Sequence, residues 1–426
     1  VYVCGITMGP LGVPVANGSD SWVACYDAAG TQQWLRQFSG GSNDAAMAVV
    51  TGSSQSAFVV GTNAVTGHDV GQITKYDSAG NQQWSYSVNQ SGPSAIYGAA
   101  TDGTGGLYVC GITGGNGNSA TLLARYDGSG AEMWSRMLTT NGYDGAESVV
   151  DDGAGGVFVA GYTSGSLSSP SAGGLDAWLA HYDSAGNQMW LTQYGTGVED
   201  IAFCVARDAD GGVYVAGMSR GGLGGTSHGA SYDVWLAHHD SGSGVLSITQ
   251  VASNGDDYTR AIAADGDGGV YVTGWTWGNV YGVNQGAADA WIAHYNRAGT
   301  AISTHQFGTT GTDALLGAVS DASNGVIVAG LTTGAIASTP AGLEDAWIAR
   351  YAFDCAPPVA YCTAGTSSIG CTAQMIATGT PSATATSGFN VFTIGAEGGQ
   401  FGYMFYGLTG QAAVPWGASS ATMCVA

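Results

Sequence analysis

Acidic residues stand at one repeating position of this chain, just before segments in which apolar and polar residues alternate. Carboxylate oxygens are ligands that Ca²⁺ prefers, so these residues could bind a cation, with calcium as the expected ion. Aspartates at such positions also cap local turns by accepting hydrogen bonds from backbone amides, which is the simpler interpretation. The column consists of Asp44, Asp144, Asp200, Asp257 and Asp313.

A second column of ionisable residues is basic. A catalytic histidine would stand alone, whereas each of these residues has counterparts in neighbouring units, so acid–base catalysis is not expected of them. We expect them instead to hydrogen bond between neighbouring units, and we expect no enzymatic activity. The column consists of Lys75, Arg125, His181, His238, His294 and Arg350.

Both columns belong to a sequence repeat. Each unit has four strand-like segments, A to D, and strand B is an apolar segment that closes on a glycine. The closing glycines are 56, 50, 50, 56, 57 and 56 residues apart. A four-stranded unit cannot bury both of its faces alone, so we predict an all-β, seven-bladed β-propeller of four-stranded blades. The closing segments lie at residues 1–5, 58–61, 107–111, 157–161, 213–217, 270–274 and 326–330.

The sequence motifs of the repeat resemble those of a known family. Residues 176–183 read Asp-Ala-Trp-Leu-Ala-His-Tyr-Asp, and residues 208–217 read Asp-Ala-Asp-Gly-Gly followed by Val-Tyr-Val-Ala-Gly. These motifs resemble the bacterial seven-bladed β-propeller (SBBP-type) repeat, and the resemblance covers roughly residues 1–352. It implies a secreted or surface-attached propeller, usually without an assigned reaction.

The first and last blades are incomplete in this sequence. The first unit begins at strand B, and the last ends with strand C at residues 346–351. We therefore assign residues 1–354 to the propeller. We expect chain upstream of Val1 to supply the absent A and D strands, which would close the ring without an exposed edge.

Beyond the propeller, the repeat stops and the composition changes. Residues 355–426 are rich in serine, threonine and glycine, and we predict a cysteine-containing β-sandwich-like module that continues past the last residue. It resembles a C-terminal module of secreted proteins from planctomycete-like bacteria. The matching pieces are Tyr361 and Cys362, Gly370 and Cys371, residues 379–383 and 405–407, Pro415 and Trp416, and residues 423–425.

The eight cysteines suggest a limited set of disulfides. Cys4 and Cys25 lie in neighbouring antiparallel strands of the first blade, so a cross-strand bond is predicted. Cys362 and Cys371 close a short loop and are predicted to pair. Cys355 and Cys424 pair with each other, or Cys424 pairs with residues outside this sequence; both options stay open. Cys110 and Cys204 are predicted to be buried free thiols.

Loop lengths differ between the two faces of the predicted propeller. The A–B and C–D turns, which define the turn face, are short. The B–C loops and D–A links define the loop face, and the B–C loops are long in five blades. Long loops on a rigid scaffold commonly carry binding sites, although covering neighbouring loops is the alternative. The residues predicted to contact a partner are Arg220, His228, Trp277 and Tyr281.

Composition limits the partners and the compartment. The net charge of −22 repels nucleic acid and anionic lipid surfaces. The sequence has no apolar run long enough for a transmembrane helix. A single lysine together with eight cysteines favours an exported protein, at the bacterial cell surface or outside the cell. A protein or polysaccharide of that surface is the expected partner.

The leading functional prediction is a non-enzymatic structural or adhesive protein that presents its B–C loops to a partner, with self-assembly into a homo-oligomer or filament as an option. One alternative is a secreted enzyme acting on polysaccharide, or a quinone-dependent dehydrogenase. The non-repeated acids Glu199 and Glu344 are the candidates for a glycosidase carboxylate pair. A carbohydrate-binding lectin is a further alternative, although its loop pocket should recur between blades, and the B–C loops are dissimilar.

Overall fold

The structure is a computed structural model of an all-β protein. It describes residues 1–11, 18–40, 43–65, 68–88, 92–114, 119–225, 231–321, 325–336 and 343–352, together with four strands nearer the C-terminus. Seven antiparallel sheets follow one another along the chain, five with four strands and two with three. They are the blades of a seven-bladed propeller, as predicted.

The first three blades lie in the first third of the chain. Blade one contains β1 (Tyr2–Thr7), β2 (Asp20–Tyr26) and β3 (Gln32–Phe38). Blade two contains β4 (Ala45–Thr51), β5 (Ala57–Val65), β6 (His68–Tyr76) and β7 (Gln82–Val88), with a short 3₁₀ helix at Ser53–Gln55. Blade three contains β8 (Ser94–Thr101), β9 (Leu107–Thr113), β10 (Ala120–Tyr126) and β11 (Glu132–Leu138).

Blades four to six repeat the same four-stranded meander. Blade four contains β12 (Asp144–Asp151), β13 (Val157–Thr163), β14 (Asp176–Tyr182) and β15 (Gln188–Tyr194). Blade five contains β16 (Asp200–Arg207), β17 (Val213–Ser219), β18 (Asp233–His239) and β19 (Val245–Val251). Blade six contains β20 (Asp257–Ala264), β21 (Val270–Thr276), β22 (Asp289–Tyr295) and β23 (Ala301–Phe307).

Blade seven contains β24 (Asp313–Ser320), β25 (Gly325–Thr332) and β26 (Asp345–Ala352). Among the residues that the structure describes, blade one has no strand A and blade seven has no strand D. The further strands are β27 (Gln374–Thr378), β28 (Asn390–Ile394), β29 (Ala412–Trp416) and β30 (Ala421–Val425). They pair two by two, and the β-sandwich-like module stays a prediction.

The core of the protein lies between the blades. The strands A of consecutive blades contact each other, from β4 and β8 to β20 and β24, so strand A is the innermost strand; in blade one, β1 takes this place against β4. Each apolar cluster joins two blades, as where Tyr214 of blade five packs with Trp291 of blade six. Strand B is apolar throughout because both faces of its sheet are covered in this way.

The closing glycine of strand B is required by a bulge in strand A. The pairing of β16 with β17 shifts register between Ala202 and Cys204. A β-carbon added to Gly217 would stand 1.8 Å from the Ile201 carbonyl oxygen. In blade one, where the described residues form no strand A, the atoms nearest to a β-carbon on Gly5 would be those of the Trp22 ring, at 3.1 Å. The repeated glycine thus allows the close approach of strand A.

The strand D tryptophans fasten blades one to four to the blade that follows each of them. Their rings lie between blades, and each indole N–H donates to a carbonyl oxygen in the C–D turn of the following blade. The donor–acceptor distances are 2.9 Å for Trp34 to Ser78, 3.3 Å for Trp84 to Gly128, 3.0 Å for Trp134 to Ser184 and 3.0 Å for Trp190 to Ser241. The ring packed between blades and its satisfied N–H together explain why this residue type recurs.

The predicted Cys4–Cys25 disulfide is wrong. Strand pairing places Cys4 opposite Val23 and Cys25 opposite Tyr2, two positions apart, and both thiols are free. Cys110 and Cys204 are buried free thiols, as predicted. Burial raises the pKa of Cys204 to about 12, so this thiol stays protonated at neutral pH. Cys355, Cys362 and Cys371 lie outside the described residues, as does the side chain of Cys424.

In the part of the chain that the structure describes, no helix is long and apolar enough to cross a membrane.

Candidate functional site

The aspartates before strand A cap the D–A links. In each, a carboxylate oxygen accepts a hydrogen bond from the backbone amide four residues earlier, at 2.5 to 2.6 Å. All five side chains are fully buried. This geometry supports the capping interpretation, because each carboxylate satisfies donors of its own link. The residues are Asp44, Asp144, Asp200, Asp257 and Asp313.

A second buried aspartate lies near three of these caps, on strand C of the preceding blade. Asp233, for example, accepts a hydrogen bond from Gln250 at 2.9 Å. Burial raises the pKa of Asp257 to about 6, and the negative charge of Asp233 adds to the shift. Burial likewise raises the pKa of Asp200, with a contribution from Asp176. The junctions of blades four and five, five and six, and six and seven therefore hold paired carboxylates, whereas strand C of blade three begins with an alanine and supplies none.

The calcium prediction stays a prediction. Within the described ranges, no group of three or more histidine, cysteine, aspartate or glutamate side chains is placed to hold a metal ion. The five capping aspartates lie one to a blade, and they accept hydrogen bonds from backbone amides and hydroxyl groups, as Asp257 does from Ser253.

The basic column lies toward the turn face and pairs within blades. The prediction that these residues hydrogen bond between blades is wrong for the histidines. Each histidine pairs with an aspartate in the A–B turn of its own blade. The distances from Nε2 to the carboxylate oxygen are 2.8 Å for His181 and Asp152, 2.6 Å for His238 and Asp208, and 2.7 Å for His294 and Asp265. Arg350 pairs with Asp321 in the same way. These contacts hold the A–B turn against strand C.

Two members of the basic column do reach the next blade. Blade two has no aspartate in its A–B turn, and the Lys75 ammonium donates to the carbonyl oxygen of Gly128 in blade three, at 2.9 Å. Arg125 pairs with Asp102 at 2.9 Å and also donates to the Ser184 carbonyl oxygen at 3.0 Å. The column is therefore structural, with its partner set by the residue in the A–B turn.

The loop face differs from this regular pattern where blades five and six meet. Residues from the links and B–C loops of both blades come together with two strand residues. We call them the loop-face cluster. It consists of Glu199, Arg220, Tyr232, Tyr258, Trp275 and Trp277.

Backbone pairing positions the polar half of the cluster. Arg220 follows β17, and its amide donates to the Glu199 carbonyl oxygen at 3.0 Å. The Arg220 guanidinium lies 3.4 Å from the Glu199 carboxylate and 4.2 Å from the centre of the Tyr232 ring. The Tyr232 hydroxyl donates to the same carboxylate. Burial, followed by this hydrogen bond and the charge of Glu199, raises the pKa of Tyr232 to about 12.

The aromatic half of the cluster comes from blade six. Tyr258 and Trp275 are opposite one another in the ladder of β20 and β21, and their rings stack at 5.0 Å with an interplanar angle of 6°. Trp277 meets the Tyr258 ring edge to face at 5.5 Å and remains 48% exposed. Its amide donates to the Asp256 carbonyl oxygen at 3.0 Å. An aromatic platform with an exposed indole results.

The predicted partner-binding residues have different outcomes. Arg220 and Trp277 both lie in the loop-face cluster. Tyr281 does not: its hydroxyl bonds to that of Tyr295 at 2.5 Å, and its ring packs on Trp291, so it supports the fold. His228 lies outside the described residues.

Sequence reasoning missed Tyr232, Tyr258 and Trp275 as site residues, and considered Glu199 only as a catalytic acid. A signal exists for one of the two strand residues, Tyr258. The position of Tyr258 holds small or aliphatic residues in the other blades, such as Gly145 and Ala314, so a tyrosine there is exceptional. Residues that recur from blade to blade are explained by the repeated fold, so residues that depart from the repeat are the candidates for a binding site.

Comparison with known proteins identifies the repeat. Residues 248–282 match the SBBP beta-propeller repeat model. The chain thus carries this repeat within a seven-bladed propeller, as the sequence motifs predict. No curated protein matches the chain.

Several solved structures match the chain at low identity. The Pseudomonas aeruginosa periplasmic gluconolactonase is 13% identical, over 82% of this chain and 99% of that chain, with a TM-score of 0.48. The Synechocystis apocarotenoid oxygenase mutant is 10% identical over 77% and 83% of the chains, with a TM-score of 0.46. The Neurospora crassa Pan2 WD40 domain is 10% identical over 73% and 81%, with a TM-score of 0.41. At these identities and TM-scores, the matches give no information about the activity of this chain.

Proposed function

We propose that this protein is a non-enzymatic structural or adhesive protein of the bacterial cell surface or extracellular space. Its propeller presents the loop face to a partner, and the loop-face cluster makes the contact. The observation that carries the proposal is the exposed Trp277 indole, held edge to face on the Tyr258 ring beside an arginine–glutamate pair. Exposed aromatic rings with a few convergent polar groups are typical of binding sites.

The chemistry of the cluster favours a neutral polysaccharide as the partner. A flat indole face can pack against the apolar face of a sugar ring, while Arg220 and Glu199 supply a donor and an acceptor for hydroxyl groups. The net charge of −22 opposes anionic partners but not neutral ones. A second copy of this chain is the other partner that the experiment below tests.

The histidines of the basic column support a non-enzymatic function. His181, His238 and His294 are each engaged by an aspartate that forms an A–B turn. Their recurrence and pairing give them a structural role, so they are not required as acid–base groups.

Co-sedimentation with insoluble cellulose and chitin tests the proposal. The protein should bind one of them, and Trp277→Ala should weaken binding about 3- to 10-fold, since a packed aromatic pair contributes roughly 0.5–1.5 kcal/mol. Ile302→Ala is the matched control, because it truncates an exposed side chain on β23 that lies outside the loop-face cluster. Equal binding by Trp277→Ala and the unchanged protein would contradict the proposal. Self-association in solution that Trp277→Ala abolishes would replace the polysaccharide with a second copy.

A further inference from the structure

A ring of bulged residues surrounds the propeller axis. Each of the six strands A has one extra residue in its pairing with strand B, always at the same position. A β-bulge leaves this residue outside the ladder and redirects its side chain. Because strand A is innermost, the six residues lie around the axis, and we call them the bulge ring. They are Met47, Tyr97, Glu147, Phe203, Arg260 and Leu316.

Interactions between blades indicate that these side chains share one space. The Arg260 guanidinium of blade six lies 4.6 Å from the centre of the Phe203 ring of blade five. Burial raises the pKa of Glu147 in blade four, and the positive charge of Arg260 opposes this shift although blade five lies between them. Burial raises the pKa of Tyr97 in blade three, and the charge of Glu147 adds to the shift.

The two charged members of the ring have no counterparts in other blades and do not pair with each other. Among the residues that the structure describes, neither the Glu147 carboxylate nor the Arg260 guanidinium has a hydrogen-bond or ion-pair partner. Arg125, by contrast, pairs with Asp102 at 2.9 Å. Glu147 is partly buried, whereas Arg260 is exposed and available to a ligand. A partly buried charge without a partner is costly, so the bulge ring lacks a group that would compensate Glu147.

We propose that the bulge ring binds a small zwitterion of the α-amino-acid class with an apolar side chain. The ligand carboxylate meets the forked N–H donors of Arg260, which match carboxylate geometry, and its ammonium group meets Glu147. Phe203, Tyr97, Met47 and Leu316 offer the apolar surface. A zwitterion has no net charge, so the acidic protein does not repel it as it would an anion.

This site is separate from the loop-face cluster and does not depend on the proposed function. Isothermal titration calorimetry on the full chain compares phenylalanine with phenylacetate, which lacks the ammonium group, and phenethylamine, which lacks the carboxylate. Phenylalanine should bind at least tenfold more tightly than either. The result overturning the proposal is no binding of phenylalanine, or equal binding of phenylalanine and phenylacetate.

Two conservative variants assign the charges. Glu147→Gln should weaken phenylalanine binding about tenfold and leave phenylacetate binding unchanged, whereas Arg260→Gln should weaken both by a similar factor. Arg207→Gln, which changes another arginine of an innermost strand, is the control and should bind like the unchanged protein. Thermal unfolding of each variant verifies folding. Undiminished phenylalanine binding by both folded variants would refute the assignment.

Discussion

The turn face and the loop face of the propeller are built from the same repeat but satisfy their side chains differently. On the turn face, His238 pairs with Asp208 at 2.6 Å, and equivalent pairs recur in other blades. On the loop face between blades five and six, Trp277 is 48% exposed, and no tryptophan recurs at the equivalent position of the other blades. Recurring residues therefore stabilise the blades, whereas residues that depart from the repeat are the candidates for binding.

The largest expected effect concerns the recurring glycine. Gly217→Ala should destabilise the protein by about 3 kcal/mol, because the added methyl group would overlap the Ile201 carbonyl oxygen of strand A. Gly5→Ala is the matched control and should cost much less, since its nearest neighbour is the Trp22 ring. Urea unfolding measures both. Similar losses at the two positions would mean that strand A is not what requires the glycine.

The next effect is a dependence of stability on pH at the blade junction. The pKa of Asp257 is raised to about 6 in the folded protein. Folding therefore favours the protonated form of Asp257. The contribution of Asp257 to the free energy of unfolding is full below the pKa of the unfolded chain, near 4, and is lost as the pH rises through the folded pKa of about 6. Between pH 4 and pH 7 this contribution to the free energy of unfolding falls by roughly 2.4 kcal/mol. Asp257→Asn should remove that part of the pH dependence.

The measurement is urea unfolding of the unchanged protein and Asp257→Asn at pH 4, 5, 6 and 7. Asp267→Asn, in an exposed turn, is the control. Parallel stability curves for the unchanged protein and Asp257→Asn would show that the junction carboxylates do not titrate as described.

A smaller effect is expected on the turn face. Asp208→Asn should reduce the free energy of unfolding by about 2 kcal/mol, because it removes the charged acceptor beside the buried His238. Lys75→Met should cost less than 1 kcal/mol, since blade two has no aspartate in this turn and loses one hydrogen bond. Thermal or urea unfolding tests the difference. Equal losses would contradict the paired role of the histidine.

Much of the propeller was predictable because its signals repeat. The closing glycines indicate seven blades, and the strand D tryptophans indicate blade packing. The position of the basic column was also evident, but its partner was not: the turn aspartates and the capping aspartates recur equally, and only the fold places Asp208 beside His238. The Cys4–Cys25 prediction failed because neighbouring strands do not by themselves fix register.

The candidate sites were less predictable for a physical reason. Tyr258 and Trp275 meet only because β20 and β21 pair in one register. Glu147 and Arg260 are aligned by bulges, which depend on how strand A approaches strand B and which no residue type in the sequence specifies. Two loop residues, Arg220 and Trp277, were identifiable because they are unusual side chains in long loops.

In the proposed function, the loop face binds a partner while the turn face supports the fold. Hydrogen–deuterium exchange with and without a soluble oligosaccharide of the polysaccharide that binds tests this most directly. Protection is expected in peptides containing Arg220, Tyr232 and Trp277, with no change in the C–D turns, such as residues 183–187. Protection confined to those turns, or none in the peptides of the loop-face cluster, would contradict the account.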